Sequence, residues 1–473
     1  MRYALSVGLL LCSLSAHAVF QKLYQGYKSS DRLAEIKLNN EIFETDLEIG
    51  ENRFDWQFNV NANHTDSFLQ RLFSFQFNQT ISQTLGVGFS KSSYKYGTFT
   101  VSHNETIYDI SNWSNTSLSS FSSDKVFESN NSLTYTYNLL NDSLRLEWDE
   151  LQLQNKANKV GQSLNEEQDH LDFFTAYLGA KLRIILDQLN RDFENRAKRR
   201  VSQISRRVTD GLSRRVDLHQ ANLSLINQKE AIIRNESELR ESVATIENII
   251  KIKIEPKLYN TLKWSYKPSE QFTYLKEEPN FKQLDRLKLL NELTEIQLLQ
   301  VEEQTGHSLD LNLSYTKNAF NENRPEAFDE SLLAGNNDEK VIGLVYTIPL
   351  GTSQNQAVKR KLKLQQKQNQ LKLSNLKDEL SVQYQVLEEN IARYESAIKL
   401  LNQRVATANK VVVENQRYYT RGQVTFEETL QSEVNYINAR VSLVNMFALY
   451  ENALAQKAFL TGSLYKFLAE YKD

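Results

Sequence analysis

No proline occurs beyond Pro349, and in all the chain that follows it the only glycines are Gly351, Gly422 and Gly462. Good helix formers dominate there, so "ENQRYYTRGQVTFEETLQSE" holds a single breaker inside what otherwise reads as uninterrupted helix. Between Asp142 and Ile254 the chain has the same character, without proline and with only Gly161, Gly179 and Gly211. Apolar residues recur there at three and four spacings, as in Leu171, Phe174, Leu178, Leu182, Ile185 and Leu189, which predicts an amphipathic helix.

The two blocks are copies of one plan. "YTYNLLNDS" (Tyr135–Ser143) resembles "VYTIPLGTS" (Val345–Ser353), and each leads into a proline-free block that meets an isolated glycine, Gly211 or Gly422, at nearly the same spacing. At 1.5 Å per residue, the ~70 residues before each glycine span about 100 Å as helix and the ~40 after it return about 60 Å. This predicts two long antiparallel helical hairpins turning at Gly211 and Gly422. Glycine suits such turns because it accepts positive φ without a side-chain clash. Ser213 and Thr425 are placed to cap the departing helices. The competing reading is a kink in one continuous helix, which would need a very long partner.

Other stretches alternate with period two, as strands do. In "RFDWQFNVNA", Phe54, Trp56, Phe58 and Val60 face one way and Asp55, Gln57, Asn59 and Asn61 the other. The pattern recurs with Leu133, Tyr135 and Tyr137, with Leu309, Leu311, Leu313 and Tyr315, and in "VIGLVYTIPLG", which carries Tyr346. One apolar, aromatic face opposite a polar face suits a sheet between lipid and water; a half-buried soluble sheet is the alternative.

The first residues predict export. Arg2, the apolar run Ala4–Leu14 and the small-x-small site Ala16-His17-Ala18 fit a signal peptide over residues 1–18, with Val19 as the mature start. Leu11 is too bulky for lipid attachment at Cys12, the only cysteine, so the mature chain would have no disulfide. No segment approaches the ~18 consecutive apolar residues of a membrane helix, so membrane entry would be by strands.

With order, duplication and spacing taken together, the chain resembles the TolC family of outer-membrane efflux proteins. The resemblance covers most of the mature chain and is carried by "VIGLVYTIPLG" entering a long helix, "RRVTDGLSRRVDLHQANLSLINQ" at the first turn, and "YYTRGQVTFEETLQSEVNYINARVSLVNMFALYENALAQKAFLTGSL" closing the second repeat. It implies a mostly α fold with transmembrane β: a homotrimer in the outer membrane and its lipid, whose shared β-barrel continues as an α-helical tunnel through the periplasm.

The expected plan is a first repeat over residues 19–255 with strands near 53–65 and 128–140, a linker or equatorial segment over 256–280, and a second repeat over 281–473 with strands near 308–317 and 340–350. Two strands per repeat give about four per chain, fewer than the roughly eight of the smallest membrane barrel, so closure would need several chains. Residues 66–127 depart from this plan: they alternate like a further hairpin but are rich in Asn and Ser, so either the barrel gains strands or, the reading favoured by that composition, an external loop is elaborated.

The resemblance further implies a periplasmic gate at the turns. Asp217 and Glu428 match the family's acidic constriction by spacing from the glycines, with Glu427 adjacent, and Tyr419 matches a gate tyrosine beside the competing Tyr418. Val424 stands where well-known members carry a gate arginine, and Gln431 where they carry a second acid. Acids in the first turn of a helix also complement its dipole, without any gate. Arg206, Arg207, Arg214 and Arg215 crowd the first turn and Arg421 the second. A solvated face is the plain reading, and docking of a periplasmic adaptor, or membrane fusion protein, the sharper one.

Net charge of −3 and an exported context argue against nucleic acid as a partner. His64, His103, His170, His219 and His307 are scattered without metal-ligand spacing, and no phosphate loop or nucleophile elbow is present, so neither an enzyme, a cofactor nor a metal is expected. The expectation is a passive exit duct engaged by an adaptor and an inner-membrane transporter, for tripartite efflux or type I secretion. The alternative is a periplasmic coiled-coil structural or adaptor protein.

Overall fold

The computed structural model describes residues 19–68, 79–109, 124–254, 262, 264, 266–276, 279–333, 337–349 and 353–471; the expected signal peptide lies outside them. In chain order the elements are α1 (Val19–Lys28), α2 (Asp31–Glu51), β1 (Trp56–Phe68), β2 (Gln79–Ser93), β3 (Gly97–Asp109), β4 (Lys125–Asn138), α3 (Ser143–Thr209) and α4 (Arg215–Ile250). They continue with α5 (Lys282–Thr305), β5 (Ser308–Asn321), α6 (Arg324–Leu333), β6 (Asp338–Thr347), α7 (Ser353–Thr420), α8 (Phe426–Leu460) and α9 (Leu464–Glu470). Two compact units form: a helical one, made of the residues up to Glu41, Lys159–Arg286 and those from Leu373 on, and a second of Ile42–Asn158 and Leu287–Lys372 that holds the sheet.

The helical repeats match closely. The ascending helices α3 and α7 have 67 and 68 residues and the returning α4 and α8 have 36 and 35. Their joint core is aromatic. Phe20, Tyr24 and Tyr27 of α1 insert against Phe173, Phe174 and Tyr177 of α3, with the Tyr27 and Phe173 rings stacked at 4.4 Å, and Phe467 and Tyr471 close the cluster from the chain's end. Such pairs add about 0.5–1.5 kcal/mol each beyond the area they bury. Within the expected linker, Leu262, Phe272, Tyr274 and Leu275 are buried in this same core and Trp264 stacks on Phe447, so these side chains are structural anchors. Buried Lys181 is held by the Tyr471 hydroxyl at 2.9 Å, the Glu451 carboxylate at 3.8 Å and the Trp264 ring at 4.4 Å, partners that offset its removal from water.

The second unit is an antiparallel sheet of six strands in the order β1-β2-β3-β4-β5-β6. This corrects the expectation of about four strands and the preference for an external loop within 66–127: β2 and β3 lie between β1 and β4 with continuous pairing from Trp56↔Lys91 to Phe68↔Gln79 and from Thr98↔Thr136 to Asp109↔Lys125. Ser82, Ser90, Ser92, Ser102 and Asn104 lie on the polar face of these strands, while residues 69–78 and 110–123, which hold much of the remaining Asn and Ser, lie outside the described residues. Gly86 belongs to that face: a Cβ there would meet Asn104 Oδ1 at 2.1 Å and Asn61 Oδ1 at 2.2 Å, so the asparagines of both neighbouring strands occupy the space a side chain would need.

Phe54 is a second correction. It sits in a 3-10 turn (Asn52–Phe54) before β1 and packs on Tyr94 and Trp148 at 5.9 and 5.8 Å, because the chain must turn there from α2 into the sheet. The remaining strands begin and end within a few residues of the expected limits.

Candidate gate and membrane wall

The gate candidates arise from two matched turns in the helical unit. After α3, Leu212 N–H donates to Arg207 O at 2.7 Å and Gly211 N–H to Val208 O at 3.1 Å; after α7, Gln423 N–H donates to Tyr418 O at 2.9 Å and Gly422 N–H to Tyr419 O at 3.0 Å. Each is the paired bonding of a Schellman motif, which needs a left-handed residue, and Gly211 and Gly422 both have φ of 74°. The continuous-helix alternative is thereby set aside.

The returning helices start differently. Thr425 caps α8: its Oγ1 accepts from Glu428 N–H at 3.2 Å, while Glu428 Oε2 accepts from Thr425 N–H at 3.1 Å, a reciprocal capping box. In α4 the N-cap is Arg214 rather than Ser213, and Asp217 accepts from the Arg214 N–H and guanidinium, both at 3.1 Å. The Ser213 hydroxyl is instead 2.9 Å from the Tyr419 hydroxyl and accepts from Arg207 Nε at 3.2 Å, and the Arg207 guanidinium lies 4.8 Å over the Tyr419 ring. Tyr419 thus ties the two hairpins together within one protomer. Beneath it Ile204, Ala221 and Phe426 form a small buried cluster.

The expected gate residues are therefore not equivalent. Asp217 is buried, whereas Glu427 and Glu428 are exposed on the first turn of α8. Arg206, Arg214, Arg215 and Arg421 are exposed too. A groove of about 600 Å³ between α3, α7 and α8 is lined by Arg206, Arg207, Arg417, Tyr419 and Phe426. At its end Arg200, buried with its pKa lowered to about 10 by loss of water and then by Arg196, is paired with Glu433. Sequence reading missed this pair: Arg200 was one of a run of basic residues, and nothing in "LQSEVN" signals a buried partner. Among the described residues no group of His, Cys, Asp or Glu could hold a metal ion.

In the second unit the register aligns an apolar band on one face, which gives way on β3, β4 and β5 to His103, Glu105, Asn131 and Lys317, where α6 packs. Phe58 pairs with Phe89, which pairs with Val101, then Leu133, then Tyr315. Trp56 is carried through Lys91, Phe99, Tyr135 and Leu313 to Ile342; Leu311 and Leu344, then Leu309 and Tyr346, continue the face. Trp56, Phe58, Leu133, Ile342, Leu344 and Tyr346 are exposed in the protomer, Ile342 by 80%. The opposite face carries Asn59, Asn61, Ser90, Thr100, Ser102 and Thr134 with their neighbours. This is a sheet built for two solvents. No helix of the described residues is long and apolar enough to cross a membrane.

Comparison of the backbone with solved structures matches outer-membrane proteins over nearly the whole chain, three of which illustrate the likeness. VceC of Vibrio cholerae aligns with a TM-score of 0.66 at 12% identity, covering 94% of this chain and 97% of its own. The CmeC outer membrane channel of Campylobacter jejuni gives 0.64 at 11%, covering 95% and 86%. The MtrE outer membrane channel of Neisseria gonorrhoeae, in its open state, gives 0.63 at 13%, covering 94% and 89%. The chain has the fold of these outer-membrane proteins. No family model matches the sequence, and no curated protein matches it. At these identities the likeness carries the fold, and residue roles rest on the geometry above.

Proposed function

We propose that this protein is an outer-membrane channel, the passive exit duct of a tripartite efflux pump or type I secretion system. It works as a homotrimer with its sheet in outer-membrane lipid and its helices in the periplasm, and no catalysis is assigned to it. The observation that carries the reading is the pairing of an exposed apolar band on one sheet face with a mostly polar opposite face, on a chain that shares its fold with outer-membrane channels. An adaptor built on coiled coils has no use for such a sheet, which disfavours that alternative.

The helical turns then serve as the periplasmic gate, with Asp217, Tyr419, Glu427 and Glu428 at the constriction and the exposed arginines offered to a periplasmic adaptor that brings the inner-membrane transporter. Tyr419 is the central part: its bonds to Ser213 and Arg207 hold the two hairpins of a protomer in one arrangement. Purification from outer membranes followed by planar-bilayer recording tests both levels. The wild type should conduct weakly and Tyr419→Ala more strongly. A monomer that stays in the soluble fraction and forms no pore would overturn the channel reading. A conducting trimer unchanged by Tyr419→Ala would overturn only the gate.

A further inference from the structure

The sheet leaves two edges unpaired among the described residues, β1 and β6. Their number has a geometric meaning. With six antiparallel strands, β1 and β6 run in opposite senses, so β6 of one copy can meet β1 of the next in the antiparallel pairing used everywhere else in the sheet. Three six-stranded sheets joined in this way close without a free edge.

We infer that this protein forms an eighteen-stranded barrel in which β2 and β3 are wall strands, and that its lumen is correspondingly wide and lined by amides, hydroxyls and a few acids. The inference rests on the trimeric channel reading and goes beyond it, since the four strands per chain expected from the repeat would give twelve. For equal tilt the diameter grows roughly in proportion to strand number, so the wall encloses about 2.2 times the cross-section of a twelve-stranded one.

A second observation supports barrel geometry independently. On β1 the apolar run is Trp56, Phe58, Val60 and Ala62. On β6 it is Ile342, Leu344 and Tyr346, and the pairing sets Trp56 level with Ile342. From that shared line the two runs extend to opposite ends of the strands, so the apolar band slides along the strands as it crosses the sheet. A slide of roughly four to five residues at about 3.3 Å each, over five strand steps of about 4.8 Å, makes the band oblique by about 30–35°. A membrane is level, so strands bearing an oblique band must tilt by that angle. This lies at the lower limit of the tilt of transmembrane barrels. β3 to β5 follow the same slope, with Phe99 and Val101, then Leu133 to Tyr137, then Leu309 to Tyr315, while Leu85, Val87 and Phe89 of β2 sit level with Ala62, Val60 and Phe58 of β1.

The lumen chemistry follows from the other face. Its side chains are mostly Asn, Ser and Thr, with the acids Glu128, Asp310 and Glu339 and no lysine or arginine over the six strands. Such a wall offers hydroxyl and amide contacts, and its acids, three per chain with no opposing base, favour cations over anions among bulky solutes.

The test is spin labelling of the trimer in liposomes, with single cysteines at Ser90 and Ser102 on the polar face and at Phe89 and Val101 on the apolar face. The sequence's one cysteine, Cys12, lies within the expected signal peptide. Labels at Ser90→Cys and Ser102→Cys should be reached by a water-soluble nickel chelate, and those at Phe89→Cys and Val101→Cys by oxygen dissolved in lipid. Electron cryomicroscopy of the same trimer should count eighteen strands. A twelve-stranded barrel with all four labels open to the nickel chelate would overturn the inference while leaving a channel. A chain that forms no membrane-inserted trimer would overturn the channel reading, and this one with it.

Discussion

Gly422→Ala isolates one physical quantity. A Cβ built on Gly422 meets nothing within 4 Å, so the substitution makes no clash, while φ stays at 74°, in the left-handed region that a side chain disfavours by roughly 1–2 kcal/mol. The turn is local, so the strain should appear as local opening and not as global unfolding. Hydrogen exchange across residues 415–430 should accelerate about 5- to 30-fold, taking about 1.4 kcal/mol per tenfold change. Gly179→Ala is the control. It too has nothing within 4 Å of the new Cβ, but it lies inside α3 without positive φ, so alanine should stabilise by about 0.5–1 kcal/mol and slow exchange around residue 179 about two- to fivefold. Gly211→Ala should follow Gly422→Ala, and Gly422→Asn should be milder because asparagine tolerates the left-handed region. If Gly422→Ala and Gly179→Ala moved exchange in the same direction, left-handed geometry would not be what holds the turn.

Further predictions concern charge and capping. Glu433→Ala leaves Arg200 buried without its carboxylate and should destabilise by about 3–5 kcal/mol, seen as a lower thermal midpoint, with Arg200→Met/Glu433→Leu much milder. Thr425→Ala removes half of the α8 capping box and should weaken its first turn by about 0.5–2 kcal/mol, measured by exchange at residues 426–430. His170 is held near pKa 4 by burial, then by Lys28, and the opposing pull of Asp169 does not offset this. Its folded pKa lies below the unfolded value of about 6.5, so the unfolded chain binds more protons between these limits and stability falls as pH drops from about 6.5 to about 4, by roughly 3 kcal/mol. His170→Phe should flatten denaturation midpoints over that window. A double-mutant cycle of Arg207→Ala and Tyr419→Leu should return a coupling of about 0.5–1 kcal/mol in the same equilibrium measurement.

The helical half of the fold was legible because its signals are redundant. Proline-free length, three-and-four apolar spacing and one isolated glycine per block all specify the same hairpin, and Gly211 and Gly422 carry the positive φ that the turn demands. The sheet was half legible. Alternation marked every described strand, but composition around β2 and β3 was ambiguous, since Asn and Ser serve both turns and a water-facing wall; only the register through Gly86 and its two asparagines distinguishes these. Phe54 continued the alternation by one step too many because periodicity does not record where a strand begins. At the turns, the isolated glycines marked where Glu428 and Tyr419 come together with the helix ends, as the Thr425 capping box and the Ser213 contact show. The exchange of roles between Ser213 and Arg214 depends on side-chain reach between hairpins, which no local pattern encodes.

The two repeats agree within one residue in their helices yet contribute four strands and two strands to the sheet. In a trimer this separates two symmetries in one molecule. A ligand that reads only helical turns meets six nearly equivalent sites and can bind in a sixfold pattern, with small preferences set by Arg214 against Thr425. Anything that reads the sheet of that proposed trimer meets strict threefold repetition. Binding stoichiometry alone would thus report whether a partner has found the helical turns or the sheet.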